Sequence, residues 1–256
     1  MSGANPYDGS CALALPRSVE SLPLHRWRPG ARALVVGSRD GVSFTPDLAR
    51  CDGNSFRRPL TTALVDALLA RSGCRTLALA WSSTLSYPRA AAACLAASWE
   101  SLLVCANGWG DPDLLEQLLP RAAAWLLAVG PEPGPLAARI VAGARHLEVL
   151  VGWRDPRAPL PPLAWERVAA IHLQPLAAEL ATAEALAAAY RAARAQWPGP
   201  LYDEAHRRDE CPCGATLVWR AGARARRDAL GDDARCRACG RAHAYALATG
   251  PASSEG

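Results

Sequence analysis

Three adjacent stretches decide the fold: TLALAW at Thr76–Trp81, PRAAAACLAAS at Pro88–Ser98 and SLLVCA at Ser101–Ala106. The first and third are short and almost wholly apolar, the pattern of strands buried on both faces. The middle stretch opens on Pro88, which is harmless in a first helical turn because its missing N–H has no partner there. Strand, helix and strand in this order make a βα unit and imply a parallel sheet.

The same alternation extends in both directions. Strand-like runs recur at Ala33–Gly37, Ala123–Val129, Leu147–Gly152 and Ala169–Gln174. Helix-like stretches recur at Thr61–Ser72, Pro112–Leu119, Pro135–Gly143 and Thr182–Gln196. Thr182 followed by Glu184 reads as a helix start with an early acidic residue. Six strands are too few for a complete eight-stranded barrel. The expectation is an α/β domain, either a partial (βα)6 TIM-like barrel or a doubly wound sheet. Sites in such folds lie at the C-terminal ends of strands. Those ends are Gly37–Asp40, Ser82–Thr84, Asn107–Trp109, Gly130–Glu132, Trp153–Asp155 and Gln174–Leu176.

Composition divides the chain further. Residues 1–28 read as an N-terminal extension and 29–200 as the α/β domain. A Pro-rich loop interrupts that domain at Pro156, Pro159, Pro161 and Pro162, and WPGP at Trp197–Pro200 ends it. Residues 201–250, rich in charge and cysteine, read as a small metal ribbon, and 251–256 as a disordered tail. No internal repeat is evident. All 28 basic residues are Arg, a coding bias rather than a function, and a net charge of +4 gives little reason to expect a nucleic-acid partner. No uninterrupted apolar run suits a membrane span, and no signal-peptide pattern opens the chain. The expected location is cytoplasmic.

Nine cysteines without a secretory context are not a disulfide framework. Cys74, Cys94 and Cys105 sit in apolar surroundings and read as small buried hydrophobes. Cys211 and Cys213, in CPCG, and Cys236 and Cys239, in CRACG, are different. Twenty-two residues separate the two pairs, and each pair precedes a Gly that permits a tight turn. Two such knuckles on facing hairpins bring four thiolates into the tetrahedron that zinc accepts. Thr216–Arg220 fits a ribbon strand. So small a module has little core, and metal would supply much of its folding energy. The first pair is CxC, tighter than the usual CxxC. Asp209, His206 and His243 are candidate substitute ligands. Arg220, Arg224, Arg226 and Arg227, interspersed with Asp228, Asp232 and Asp233, read as a solvated ribbon face rather than a phosphate site.

The ribbon and strands together resemble radical S-adenosylmethionine (SAM) enzymes related to pyruvate formate-lyase activating enzyme, and most closely the AmmeMemoRadiSam group. The pieces are LPLHRWRPGARALVVG at Leu22–Gly37, GCRTLALA at Gly73–Ala80, ANGW at Ala106–Trp109, HLEVLVG at His146–Gly152, IHLQP at Ile171–Pro175, and the two cysteine knuckles. They occur in the family's order across 14–245. The resemblance implies a radical-SAM-type partial barrel with a zinc-ribbon-like module.

The departures from the family carry the functional expectation. Members hold a [4Fe–4S] cluster with CxxxCxxC after the first strand, since thiolate is the normal cluster ligand. Here those positions fall on Gly41, Thr45 and Leu48 or, in a second register, on Cys51, Ser55 and Arg58. No cluster is therefore expected, and SAM loses its anchor. The family's Tyr-Asn-Glu-Pro segment falls on Trp81, Ser82, Ser83 and Thr84, and its Asp-Leu-Lys near Ala128, Val129 and Gly130. The resemblance thus implies a non-catalytic binding or scaffold protein, a pseudoenzyme, partnered by an intact radical SAM paralogue or that enzyme's protein substrate. One alternative is an enzyme with altered chemistry in the same domain. Its candidates are Asp40, Asp52, Asn107, Asp111, Glu132, Glu148, Asp155 and His172, although Asp111 also suits a helix cap and His172 a structural hydrogen bond. No GxSxG, HExxH or phosphate-binding glycine loop is present. A third reading is a redox sensor built on the CxC and CxxC pairs.

Overall fold

The computed structural model describes residues 8–38, 58–203, 206–221 and 224–247. In chain order these form β1 (Ser10–Cys11), β2 (Leu13–Ser18), β3 (Arg32–Gly37), β4 (Arg58–Pro59), α1 (Thr62–Ser72), β5 (Thr76–Ala80), α2 (Pro88–Leu95), β6 (Ser101–Ala106) and α3 (Pro112–Leu118). Then follow β7 (Ala124–Val129), α4 (Ala137–Gly143), β8 (Leu147–Trp153), β9 (Ala170–Pro175), α5 (Ala183–Arg194), β10 (Leu201–Tyr202), β11 (Arg208–Glu210), β12 (Thr216–Ala221) and β13 (Arg224–Arg227).

Four helices start within one residue of the sequence reading, whereas α4 starts at Ala137 rather than Pro135. Thr61 and Thr182 cap α1 and α5, their hydroxyls accepting from Leu64 and Ala185 N–H at 3.2 Å each. Asp111 caps α3 by accepting from Asp113 N–H at 2.8 Å, with Pro112 in the first turn.

The main sheet has eight strands in the order β10-β9-β8-β7-β6-β5-β3-β2. Only β2 runs antiparallel to its neighbour; the other pairings are parallel. Strand order follows chain order without the reversal of a doubly wound sheet. One apolar cluster contains packing residues of all five helices, including Leu69, Cys94, Leu115, Ile140 and Ala193, so the helices share one face.

The helix-free face is built from the alternate residues of the strands, among them Ala33, Ala78, Ala80, Ala124 and Leu126. Alanines leave room there for another layer of chain. That layer is the segment entering β3, which covers this face with Val19, Leu22, Leu24 and Trp27, all at most 2% exposed. Burying a side chain of this size stabilises by roughly 1.5–3 kcal/mol.

Two segments lie elsewhere than sequence boundaries placed them. Leu13–Ser18, read as part of an N-terminal extension, is an edge strand of the main sheet. Leu201–Tyr202, read with the ribbon, pairs in parallel with β9 as the seventh parallel strand.

The ribbon is a separate three-stranded antiparallel sheet, β11-β12-β13. Its buried apolar residues are few: Cys211, Leu217, Val218, Leu230, Cys236 and Tyr245. The stretch after its second knuckle returns to the main domain. Ala246 accepts from Arg28 N–H at 2.8 Å and donates to Arg26 C=O at 2.9 Å.

Candidate metal centre and buried histidine cluster

The two knuckles are built alike. Gly214 N–H donates to Cys211 C=O at 2.8 Å, and Gly240 N–H to Cys236 C=O at 2.7 Å. Gly214 and Gly240 close these turns with φ of 89° and 74°, backbone that only glycine adopts without strain. The turns aim four sulfurs at one point. The sulfurs of Cys211, Cys213, Cys236 and Cys239 all lie within 4.8 Å of one another. Cys211 and Cys239 Sγ are 3.5 Å apart, and Cys213 and Cys236 Sγ 3.7 Å. These separations are too long for disulfides, which need about 2.05 Å. They suit a tetrahedron around one ion, whose edge is about 3.8 Å for metal–sulfur bonds of about 2.3 Å.

Electrostatics point the same way. The Ala215 N–H, with the neighbouring sulfurs, brings the Cys213 thiol down to about 7. The Cys213 N–H favours the Cys211 thiolate, but burial and the neighbouring sulfurs outweigh it and push Cys211 up to about 12. Four thiols so close cannot all ionise without a cation among them. The four cysteines could therefore bind a metal ion. The CxC spacing does not prevent convergence, because the tighter bite is absorbed by the turn ending at Gly214.

Of the substitute ligands, Asp209 and His206 are engaged with each other, while His243 Nε2 is buried without a hydrogen-bond partner and does not join the converging sulfurs. Asp209 is 4% exposed and accepts from His206 Nε2 at 3.0 Å, Arg220 Nη2 at 3.0 Å and the Tyr245 hydroxyl. Among the described residues the cysteines are the only group of three or more candidate ligands that converges. The solvated-face reading holds for Arg226 and Arg227, paired with Asp228 at 2.7 Å and Asp232 at 2.9 Å. It is wrong for Arg220. That residue is 2% exposed, because it reaches back from β12 to donate to His25 C=O at 2.8 Å.

Arg220 belongs to a second polar cluster, at the seam between ribbon and main sheet. Its centre is Glu148 on β8, fully buried. Glu148 accepts His25 and Arg26 N–H at 2.8 Å each, His172 Nε2 at 2.8 Å and His146 Nε2 at 3.1 Å. Burial opposes its ionisation, but the hydrogen bonds and charges of His146 and His172 override burial and hold its pKa well below the carboxylate range. The ring of His25 packs edge-on against His172 and Tyr202, with centroids 4.7 and 4.6 Å away. Burial first, then the charges of His172 and Arg220, depress the His25 pKa well below its ordinary value. Arg26 Nε donates to Tyr202 Oη at 2.5 Å, and its guanidinium lies 4.3 Å from the Tyr245 ring centroid. This network joins β8, β9 and β10 to the covering segment and to the ribbon.

The other sequence candidates are dispersed. Asp40 and Asp52 lie outside the described residues, as do Gly41, Thr45, Leu48, Cys51 and Ser55, while Arg58 opens β4. Asn107 accepts from Trp109 N–H at 3.1 Å and Asp155 from Arg157 N–H at 2.9 Å, both turn contacts. Asp111 is a helix cap, and Glu132 is exposed. Ser83 donates to Trp109 C=O at 2.5 Å and Thr84 to Leu79 C=O at 3.2 Å. Among the described residues of the set, only Glu148 and His172 come together. Sequence reading gave no role to His25 and Arg26, although both lie in the quoted stretch Leu22–Gly37, nor to Tyr202; tertiary packing brings the three together.

Fold and site together define a mixed α/β protein with an eight-stranded, mostly parallel sheet and a four-cysteine group fit to bind metal. No protein-family model, curated protein or solved structure matches the chain. Among the described residues no helix is long and apolar enough to cross a membrane.

Proposed function

We propose that this chain is a non-catalytic binding or scaffold protein, a radical-SAM-type partial barrel in which a zinc ion holds the ribbon. The observation that carries the reading is the occupied helix-free face. In a partial barrel that face lines the reaction chamber. Here Val19, Leu22, Leu24 and Trp27 fill it, and the Glu148 carboxylate at its margin is spent on four internal donors. Sequential strand order with all helices on one face supports the barrel reading. Zinc is favoured by four sulfur donors at tetrahedral spacing and by a ribbon core too small to stand alone.

The partner we infer is an intact radical SAM enzyme or that enzyme's protein substrate. Trp109 and Leu176, 56% and 48% exposed, offer apolar contact residues after β6 and β9. The test has two arms. Thermal melting should show no shift of the midpoint with SAM, and affinity purification from native cells should recover a radical SAM enzyme or its substrate. A SAM-dependent rise in midpoint would count against the reading, because a ligand stabilises only a protein that binds it.

One observation favours a second reading. Cys213 and Cys239 are exposed while Cys211 and Cys236 are buried. Two accessible ligands suit a redox sensor that releases its metal on oxidation. Zinc retained after peroxide has consumed the accessible thiols would exclude it.

A further inference from the structure

An apolar cavity of about 320 Å3 opens beside the C-terminal ends of β8 and β9, on the helix-covered side of the sheet. Val151, Trp153 and Leu173 form its floor, Ala189 and Ala193 of α5 one wall, and the Pro-rich loop through Leu160 its mouth. It exists because α5 turns alanines to the sheet where α3 and α4 present Leu115, Leu118 and Ile140. It is a cleft half open to solvent, and its volume lies at the lower end of the range of small-molecule sites.

Two lining residues carry unused hydrogen-bond donors. The indole N–H of Trp153 is buried and has no partner. The next residue, Arg154, is exposed and makes no ion pair among the described residues. Asp155 is also at the rim; its Oδ1 accepts from the Arg157 N–H at 2.9 Å, and its charge directs a bound anion to the Arg154 side of the mouth.

We propose that this cavity binds a small apolar carboxylate, with its hydrocarbon body between Trp153 and α5 and its charged end at Arg154. The site is separate from the helix-free face and does not depend on the chain being a pseudoenzyme. The apolar walls exclude a sugar or nucleotide, whose hydroxyls would be desolvated without partners. The unpaired guanidinium selects an anion over a neutral hydrocarbon.

The test is titration of the full-length, metal-loaded protein with 3-phenylpropionate, followed by calorimetry and saturation-transfer NMR. One site per chain is expected, with 3-phenylpropionamide about ten-fold weaker for want of the charge. Arg154→Gln should remove that preference for the acid. Ala189→Leu, or Ala193→Leu if the first melts below the parent, should fill the cavity and abolish binding. No binding at millimolar ligand, or binding undiminished in a folded filling variant, would overturn the proposal. Equal affinity for acid and amide would overturn the role of Arg154.

Discussion

His172 Nε2 lies 2.8 Å from the carboxylate of Glu148, and the two residues, on neighbouring parallel strands, are 4% and 0% exposed. A fully buried carboxylate is costly unless each lone pair has a donor. Glu148 meets that condition with two imidazoles and two backbone N–H groups, and the backbone donors belong to the segment that covers the helix-free face. The contact therefore ties sheet packing to placement of that segment.

Removing the carboxylate should be severe. Glu148→Ala leaves four buried donors facing a hole, and breaking such a pair costs about 3–5 kcal/mol. Urea unfolding should show that loss. A change below about 0.5 kcal/mol, the size of an ordinary surface substitution, would mean that the cluster does not hold the segment.

The pH dependence follows from the directions of the shifts. His25 has a depressed folded pKa, so below its ordinary value of 6.5 the unfolded chain binds a proton that the native chain refuses. Stability should fall from that point downward. Glu148 is also depressed, so its contribution is present above the unfolded carboxylate pKa and is lost as pH falls toward the folded one. Glu20, raised mainly by burial, acts in the opposite direction and partly offsets Glu148. Melting midpoints should decline in two stages, first below pH 6.5 and again near pH 4. His25→Gln should flatten only the upper stage; an unchanged upper slope would assign it to another group.

Arg220 separates docking from metal binding. Its guanidinium joins Asp209 at 3.0 Å and His25 C=O at 2.8 Å, and both partners are lost in Arg220→Ala. The buried Asp209 then loses its ion-pair partner and keeps only His206 and Tyr245 as side-chain donors, a loss of up to about 3–5 kcal/mol. Hydrogen exchange should accelerate across β11–β13 and residues 19–27 while the metal content stays at one ion per chain. Loss of the metal in this variant would mean that the knuckles depend on docking.

Metal removal should have the converse effect. Structural zinc contributes roughly 10–16 kcal/mol to folding in finger peptides, and the six-residue core of this ribbon cannot replace it. Chelation, or Cys236→Ser, should abolish amide protection in β12 and β13 while the main sheet keeps its far-ultraviolet dichroism. A ribbon that stays protected without metal would contradict this.

The parallel strands were legible because burial on both faces leaves unbroken apolar runs such as SLLVCA at Ser101–Ala106, which is β6 to the residue. Thr182 marked a helix start through its capping chemistry, and Asp111 proved to be the cap that it also suited. β2 was hidden because Pro16 and Arg17 interrupt it, as an exposed edge allows. β10 was hidden because two residues carry no period. At the candidate site the cysteines announced themselves by spacing, and His172 fitted its structural reading. Arg220 misled because charge patterning describes a local strand face, whereas its burial is set by His25, 195 positions away.

We propose that no iron–sulfur cluster or SAM chemistry operates here, since Val19, Leu22, Leu24 and Trp27 pack the helix-free face. Anaerobic reconstitution with iron and sulfide, followed by metal analysis and incubation with SAM under reducing conditions, tests it most directly. The expected result is one zinc per chain, no stoichiometric iron and intact SAM. About four irons per chain with release of 5′-deoxyadenosine would contradict it.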